Sequence, residues 1–454
     1  MYNQMMRTYI KLVSIVFVAL LSACHEKKNT SPQDHLSGQS EFVEWAQQKK
    51  ITLNSFTESE SNSDLEAIFQ NAANYKVIAL SEGFHNCKEM LQLHHRMIRY
   101  LVEEHGFNTV VTESGLPESR LAYNYIKNKP HAVAPWNNGI NKMYAAWQEG
   151  RTLIEWMREY NRSHENELSY YGIDIGGFYH NWKTPLNNVL EYLETVDAPY
   201  ATAQSERLEP WLEILSENAR IKYINELSQA DRDELARILV EMSNYFQINK
   251  DQFISKSSNQ EYQWAKQSTM AMRMAENYYR NYMGQRNGTP EYVGLNGREI
   301  AMAENVKWVL EHKKDAKVIL IDHVVHTKTE TQHQDGLYGF FTPAGEILKQ
   351  ELKDSLFIVG MTYGGGKFWN DWHTIDSRFI DTIPQSSPNG IEKTMAKIGT
   401  EPYYIHWKDN TNNSKTWMNS LLRMRENNYF INIKPIEWDG CVYLPDVSPG
   451  TPMR

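Results

Sequence analysis

The segment Ser81-Glu82-Gly83-Phe84-His85 sets a carboxylate and an imidazole three residues apart, between the apolar run "KVIAL" (76–80) and a helical pattern. Imidazole changes charge near neutral pH, so a histidine held by a carboxylate can deprotonate water. The same placement recurs. Glu113 ends "NTVVTE" (108–113), Asp174 ends "SYYGID" (169–174), and Asp322, His323 and His326 end or follow "KVILID" (317–322). Thr362 and Tyr363 follow "LFIVGM" (356–361). A single carboxylate at such a place is most simply a cap for the next helix, and His85 alone reads as a structural histidine. Acid–base residues at four exits point instead to one site.

These five runs read as buried strands, rich in Val, Ile and aromatics and bounded by turn residues. Helical patterns lie between them. Met90, Leu93, Met97 and Leu101 recur at spacings of three, four and four, with Gly106 as the stop. "REIAMAENVKWVLEHKKDA" (298–316) is a second helix, feeding the fourth strand. Alternation of helices with apolar strands predicts an α/β fold: a mostly parallel sheet flanked by helices. Residues 185–285 have helical period and no strand pattern, which predicts an inserted all-helical lobe. The α/β core would then comprise residues 41–184 and 286–454, with late strands at "YYIHW" and "CVYL". In such sheets ligands bind outside the carboxyl ends of the strands, where the polar residues fall.

Other motifs carry less. "TYGGGKFW" (362–369) lacks the GxxxxGK[ST] phosphate loop and reads as a mobile loop over the cleft. His94 shares a helical stripe with Met90, Met97 and Leu101, so packing and function weigh equally there. No GxSxG elbow supports a serine nucleophile.

The 454 residues are 41% hydrophobic and 23% charged, the balance of a globular protein with a large core. Arg7 and Lys11 precede the apolar run 12–23, which is too short to span a bilayer and has the form of a secretory signal. Its ending, "LSAC", resembles a bacterial lipobox and points to lipidation of Cys24, ahead of an ordinary signal cut near Ala23. Residues 24–40 then form a lipidated tether. This places the protein in the bacterial cell envelope, on the outer membrane facing the periplasm. Losing residues 1–23 takes the formal charge from −9 to −11, which disfavours nucleic acid and anionic lipid surfaces, leaving the anchor as the membrane contact. Cys87 and Cys441 are too few for a disulfide framework and read as two buried thiols.

On these residues the chain resembles the erythromycin-esterase-like family. "LSEGFH" is similar to its G-E-x-x-H block, "RYLVEEHGFNTVVTESG" to its second, "YYGIDIGG" to its third, "REIAMAENVKWVLE" to its fourth and "AKVILIDHVVHTKTE" to its fifth, written A-H-N-x-H. The resemblance implies a cleft between core and lobe, and hydrolysis of an ester or macrolide lactone by activated water. It assigns His85 as base, Glu82 and Glu113 as its carboxylate neighbours, and His323 and His326 as the paired histidines. Arg298 opens the fourth block, and Asp174, His94 and Tyr363 join it as substrate-binding candidates. Ser81, Phe84 and Asp322-His323-Val324 depart from the family pattern, and His94 stands where macrolide-hydrolysing members carry arginine. These departures bear on the substrate more than on the acid–base groups.

Three readings remain open. The first is a cofactor-free ester hydrolase acting on a small molecule. The second is a metal-dependent hydrolase whose imidazoles and carboxylates hold a divalent ion, although the HxxH spacing here follows a strand and the HExxH signature lies on a helix. The third is a ligand-capture lipoprotein without turnover.

Overall fold

The computed structural model describes residues 32–59, 61–177, 181–284, 292–333, 340–369, 380–383, 385–387, 389–407, 410, 415–426 and 429–453. The expected signal segment, Cys24 and the first part of the expected tether lie outside these residues. The remainder of the expected tether is helical: the first helix runs Pro32–Lys49, starting inside the polar stretch. Gly38, Phe42 and Ala46, four residues apart, are buried, and Phe42 stacks on Trp417 at 4.0 Å, so one face of this helix is part of the core.

One nine-stranded sheet organises the molecule. Its strands are β1 (Ile51–Thr52), β2 (Val77–Glu82), β3 (Thr109–Gly115), β4 (Ser169–Asp174), β5 (Val318–His323), β6 (Leu356–Trp369), β7 (Ile380–Thr382), β8 (Tyr403–His406) and β9 (Gly440–Val447). The order is β1-β8-β9-β6-β2-β5-β3-β4, with β7 paired to the far end of β6. The six strands from β9 to β4 are parallel, while β1, β7 and β8 pair antiparallel. Every residue of β2, β4 and β5 is buried, as expected for strands covered on both faces. Chain order runs outward from β2 to β3 and β4, returns to insert β5 between β2 and β3, then crosses to β6. This reversal puts the ends of β2, β5 and β3 side by side.

The glycine-rich segment 362–369 is not the expected loop. It continues β6, pairing with β9 as far as Gly366 and then with β7. Its glycines admit close approach: a Cβ at Gly364 would lie 2.4 Å from the Tyr443 hydroxyl, and Gly366 has φ +123° against Val447. Packing, not mobility, accounts for them.

The helix Lys88–His105 closes as the spacing predicts. Gly106 takes φ +67°, and Phe107 N donates to Leu101 O at 3.1 Å. From Lys183 to Gly284 the described residues hold no strand; their helices share a core that includes Trp182, Tyr223, Met242, Phe246 and Tyr279. Ile175, just past β4, and Val325, just past β5, belong to that same core, so the helices rest on the strand exits. Cys87 and Cys441 are free and buried, and burial pushes both thiols well up.

Candidate active site

Parallel register aligns Glu82, the last residue of β2, with His323, the last of β5, and Ser81 with Asp322. The chain then turns sharply. Gly83 passes so close to β6 that a Cβ would sit 2.4 Å from Met361 O. Phe84 packs edge-on against Tyr363 and Phe368 at 5.5 and 5.2 Å, and Asn86, at φ +66°, accepts from Trp147 Nε1 at 2.6 Å. This clamped turn holds His85, whose Nδ1 lies 3.1 Å from Glu82 Oε2. The His323 ring lies 4.3 Å from the His85 ring. Glu82 Oε1 has no partner among the described residues.

A bulge re-aims Glu113. The β3–β4 register shifts between Thr112 and Gly115, and Gly172 makes room for it, since a Cβ there would lie 2.2 Å from Ser114 O. Asn141 fixes the bulge, donating from Nδ2 to Glu113 O at 3.0 Å and from its backbone N to Ser114 Oγ at 3.0 Å.

The helix Tyr292–His312 supplies the counter-charge. Arg298 makes a two-pronged pair with Asp174, Nε to Oδ1 at 2.9 Å and Nη2 to Oδ2 at 2.7 Å, and Nη2 also reaches Glu113 Oε1 at 2.7 Å. Two turns on, Asn305 Nδ2 donates to Ile173 O at 2.7 Å and pins the helix to β4. Glu299 accepts from Ala344 N at 2.9 Å and binds His326 Nδ1 at 2.7 Å. His326 Nε2 lies 3.5 Å from Glu113 Oε1. Glu299, the neighbour of Arg298, has a role that sequence patterning missed, because a carboxylate on a helix shows no sign of facing inward.

Burial divides the histidines. His323 is held well below its ordinary pKa by burial and then by the neighbouring His85, so it is neutral. Its Nδ1 faces Val325 N at 3.5 Å, which leaves the proton on Nε2. For His326 burial acts in the same direction, but Glu299, Asp322 and Glu113 outweigh it and hold the ring well above its ordinary value, as an imidazolium. Burial pushes Glu113 up, yet His326 and Arg298 overcome it and keep it ionised. Asp322 goes the other way: burial, reinforced by Glu113 and Glu299, raises it well above the carboxylate range. Burial also raises Asp174, against the pull of Arg298.

The structure thus brings His85, Glu82, Glu113, Asp174, Arg298, His323 and His326 together. His94 is set back in the core near Glu82, beside a cavity of about 20 Å³, and burial lowers its pKa to about 4. Tyr363 packs on Phe84 and beneath Arg425, forming a wall behind the His85 turn. Tyr144 was not foreseen. Its hydroxyl is buried without a partner, and burial with the charges of Glu82, Glu113 and Asp322 raises it well above the ordinary phenol value.

Residues 102–439 match the model of the family described as erythromycin esterase. That span is most of the sequence. The chain belongs to the erythromycin esterase family. It is 23% identical to an erythromycin esterase type II of Escherichia coli over 390 residues, covering 81% of this chain and 89% of that protein. Two crystal structures share the fold. One, titled a succinoglycan biosynthesis protein, has TM-score 0.75 and 18% identity, covering 91% of this chain and 99% of the other. The second is a mutant of erythromycin esterase EreC in its open conformation, with TM-score 0.68 and 17% identity, covering 86% and 95%. Such different titles on one fold leave the substrate to be argued from the site.

Among the described residues, Glu113, Asp322 and His326 could hold a metal ion, with ligand atoms within 4.8 Å of one another. His323 is not in that group. Metal ligands must be deprotonated with free lone pairs. Here Glu113 Oε1 already carries Arg298 Nη2 at 2.7 Å, and His326 has Nδ1 on Glu299 at 2.7 Å and Nε2 3.3 Å from Arg298 Nη1, so an ion among them would lie against the Arg298 guanidinium. These residues do not fit a divalent ion.

Proposed function

We propose that the protein is a carboxylic ester hydrolase in which His85 activates water. The observation that carries this reading is the Glu82–His85 pair lying against a neutral His323, next to the fixed positive charge of Arg298 and His326. With Nδ1 turned to Glu82, His85 Nε2 takes a proton from water. The hydroxide attacks the ester or lactone carbonyl, and the electron pair moves to the carbonyl oxygen. His323 Nε2–H donates to that oxyanion, a contribution of about 3 kcal/mol for a well-placed donor, and the positive charge of His326 and Arg298 favours it from nearby. Collapse expels the alkoxide, which recovers the proton from His85. Glu82, not Glu113, orients the base, because Glu113 is committed to Arg298 and His326. Arg298 acts by fixing that charge: three of its N–H groups are on carboxylates.

The chemistry needs no serine and no cofactor. Mass spectrometry of a panel of macrolides and simple esters, incubated with the purified protein, tests it; a panel left wholly intact would refute the reading. We further propose, from the "LSAC" motif alone, that Cys24 carries a lipid anchor in the cell envelope. Fatty-acid labelling that marks wild type and Cys24→Ala equally would refute that.

A further inference from the structure

A cavity of about 380 Å³ opens beside the catalytic cluster, between the ends of β3 and β4 and the first helices of the lobe. Gly115, two residues past Glu113, and Gly177, three past Asp174, form its floor. Its walls are polar, in contrast to the apolar lining usual for small-molecule sites. Asn141 also lines it, and its side chain is used in the fold, on Glu113 O and Met143 N. Among the described residues the side chains of Asn137, Asn138 and Asn218 on its rim have no hydrogen-bond partner, and Asn218 is held at φ +50° with its backbone O accepting from Lys222 N at 3.0 Å. Glu118 enters from the same side. Its Oε1 accepts from Gly177 N, while Oε2 is shielded from solvent, lacks a partner, and fills space that a Cβ at Gly115 would take.

We propose that this cavity is the subsite for a hydroxyl-rich, uncharged part of the substrate, a sugar or polyol ester, with Glu118 as its specificity-determining residue. Amides offer donors and acceptors side by side, the pattern that hydroxyl groups complement, whereas an apolar ligand face would strip them of water without replacement. Burial pushes Glu118 up to about 8, so near neutral pH its Oε2 carries a proton and can donate to a ligand oxygen. A site built to bond a hydroxyl rejects an analogue lacking it far more strongly than an apolar pocket rejects a methylene.

The inference rests on the ester-hydrolase reading, and the test separates the two. The ratio of kcat/KM for glucose 6-acetate to that for cyclohexylmethyl acetate is measured in wild type, Glu118→Ala and Glu118→Gln. Binding of methyl α-glucopyranoside is followed in parallel by NMR line broadening, which needs no turnover. We expect wild type to favour the sugar ester, Glu118→Ala to lower the ratio by about tenfold, and Glu118→Gln, which keeps a donor and an acceptor, to restore most of it. Glucoside broadening should weaken in Glu118→Ala. A ratio near one in wild type, or one unmoved in Glu118→Ala, overturns the subsite while ester hydrolysis stands. Glucoside bound in a Glu118-dependent way, with neither these two esters nor any member of the wider ester and macrolide panel cleaved, supports the subsite and overturns the hydrolase reading.

Discussion

On the β2–β5 side of the site the His85 ring pairs with Glu82 at 3.1 Å, whereas on the β3–β4 side Arg298 pairs with both Asp174 and Glu113 at 2.7 Å. Among the described residues the first side leaves Glu82 Oε1 without a partner, and it sets the His85 and His323 rings 4.3 Å apart. The second is a closed network, with His326 locked between Glu299 and Glu113. A group that must take and return a proton cannot be tied on every side, while charges that stabilise a developing anion work best when they cannot relax. The contrast divides the site into a part that reacts and a part that holds still.

Arg298→Ala breaks that contrast most severely. It leaves two carboxylates buried without their cation, and folding stability should fall by about 3–5 kcal/mol, read by denaturant unfolding. Arg298→Lys, which keeps the charge without the fork, should recover part of the loss. Stability left intact in Arg298→Ala would mean that the β3–β4 side is not the rigid half.

Glu82→Gln sharpens the comparison on the other side. The amide still bonds to His85 but no longer stabilises its charged form, so kcat should fall about a hundredfold with little change in denaturation midpoint. Equal effects on rate and midpoint would erase the distinction between the halves.

The pH dependence of folding should report the held half. His326 is raised, so its contribution is full below the ordinary histidine pKa of 6.5 and is lost as pH rises through its folded value. Glu113 is depressed, so its contribution is present above the ordinary 4.5 and is lost as pH falls through its folded value. Unfolding followed against pH should therefore show a decline on both sides, and His326→Gln should flatten the alkaline one.

The smallest expected effect is at Tyr144. Its hydroxyl has no partner among the described residues, so Tyr144→Phe should leave stability within about 1 kcal/mol of wild type. A fall in kcat without a fall in stability would show that the hydroxyl meets the substrate and belongs with the reactive half.

Apolar runs marked five strands, and the polar residues at their exits come together in the fold, because both-face burial and a sheet edge each leave a plain pattern in the chain. What patterning missed depends on close approach between distant segments. Glycines at 364 and 366 read as a loop but are the places where β6 meets β9. Gly172 admits the bulge that turns Glu113 toward Arg298, and nothing local in "SYYGID" announces it. The polar stretch before residue 41 concealed a helix because Gly38 is the one fully buried position it contributes among those described, and the larger buried side chains, Phe42 and Ala46, come after it. Glu299 and Glu118 stayed hidden for a similar reason: an acidic residue on a helix, or in the turn just before one, looks the same whether it faces water or a cluster.

The central claim is that His85, not a metal ion, makes water nucleophilic. Its most direct measurement is kcat for His85→Asn against wild type on a confirmed ester, each assayed before and after exhaustive chelation, with folding checked by circular dichroism. The account predicts a wild-type rate indifferent to the chelator, and a fall of about a hundred- to ten-thousandfold in the variant with KM nearly unchanged. A folded variant that works at the wild-type rate, or a wild-type activity that chelation abolishes and one divalent ion restores, would contradict it.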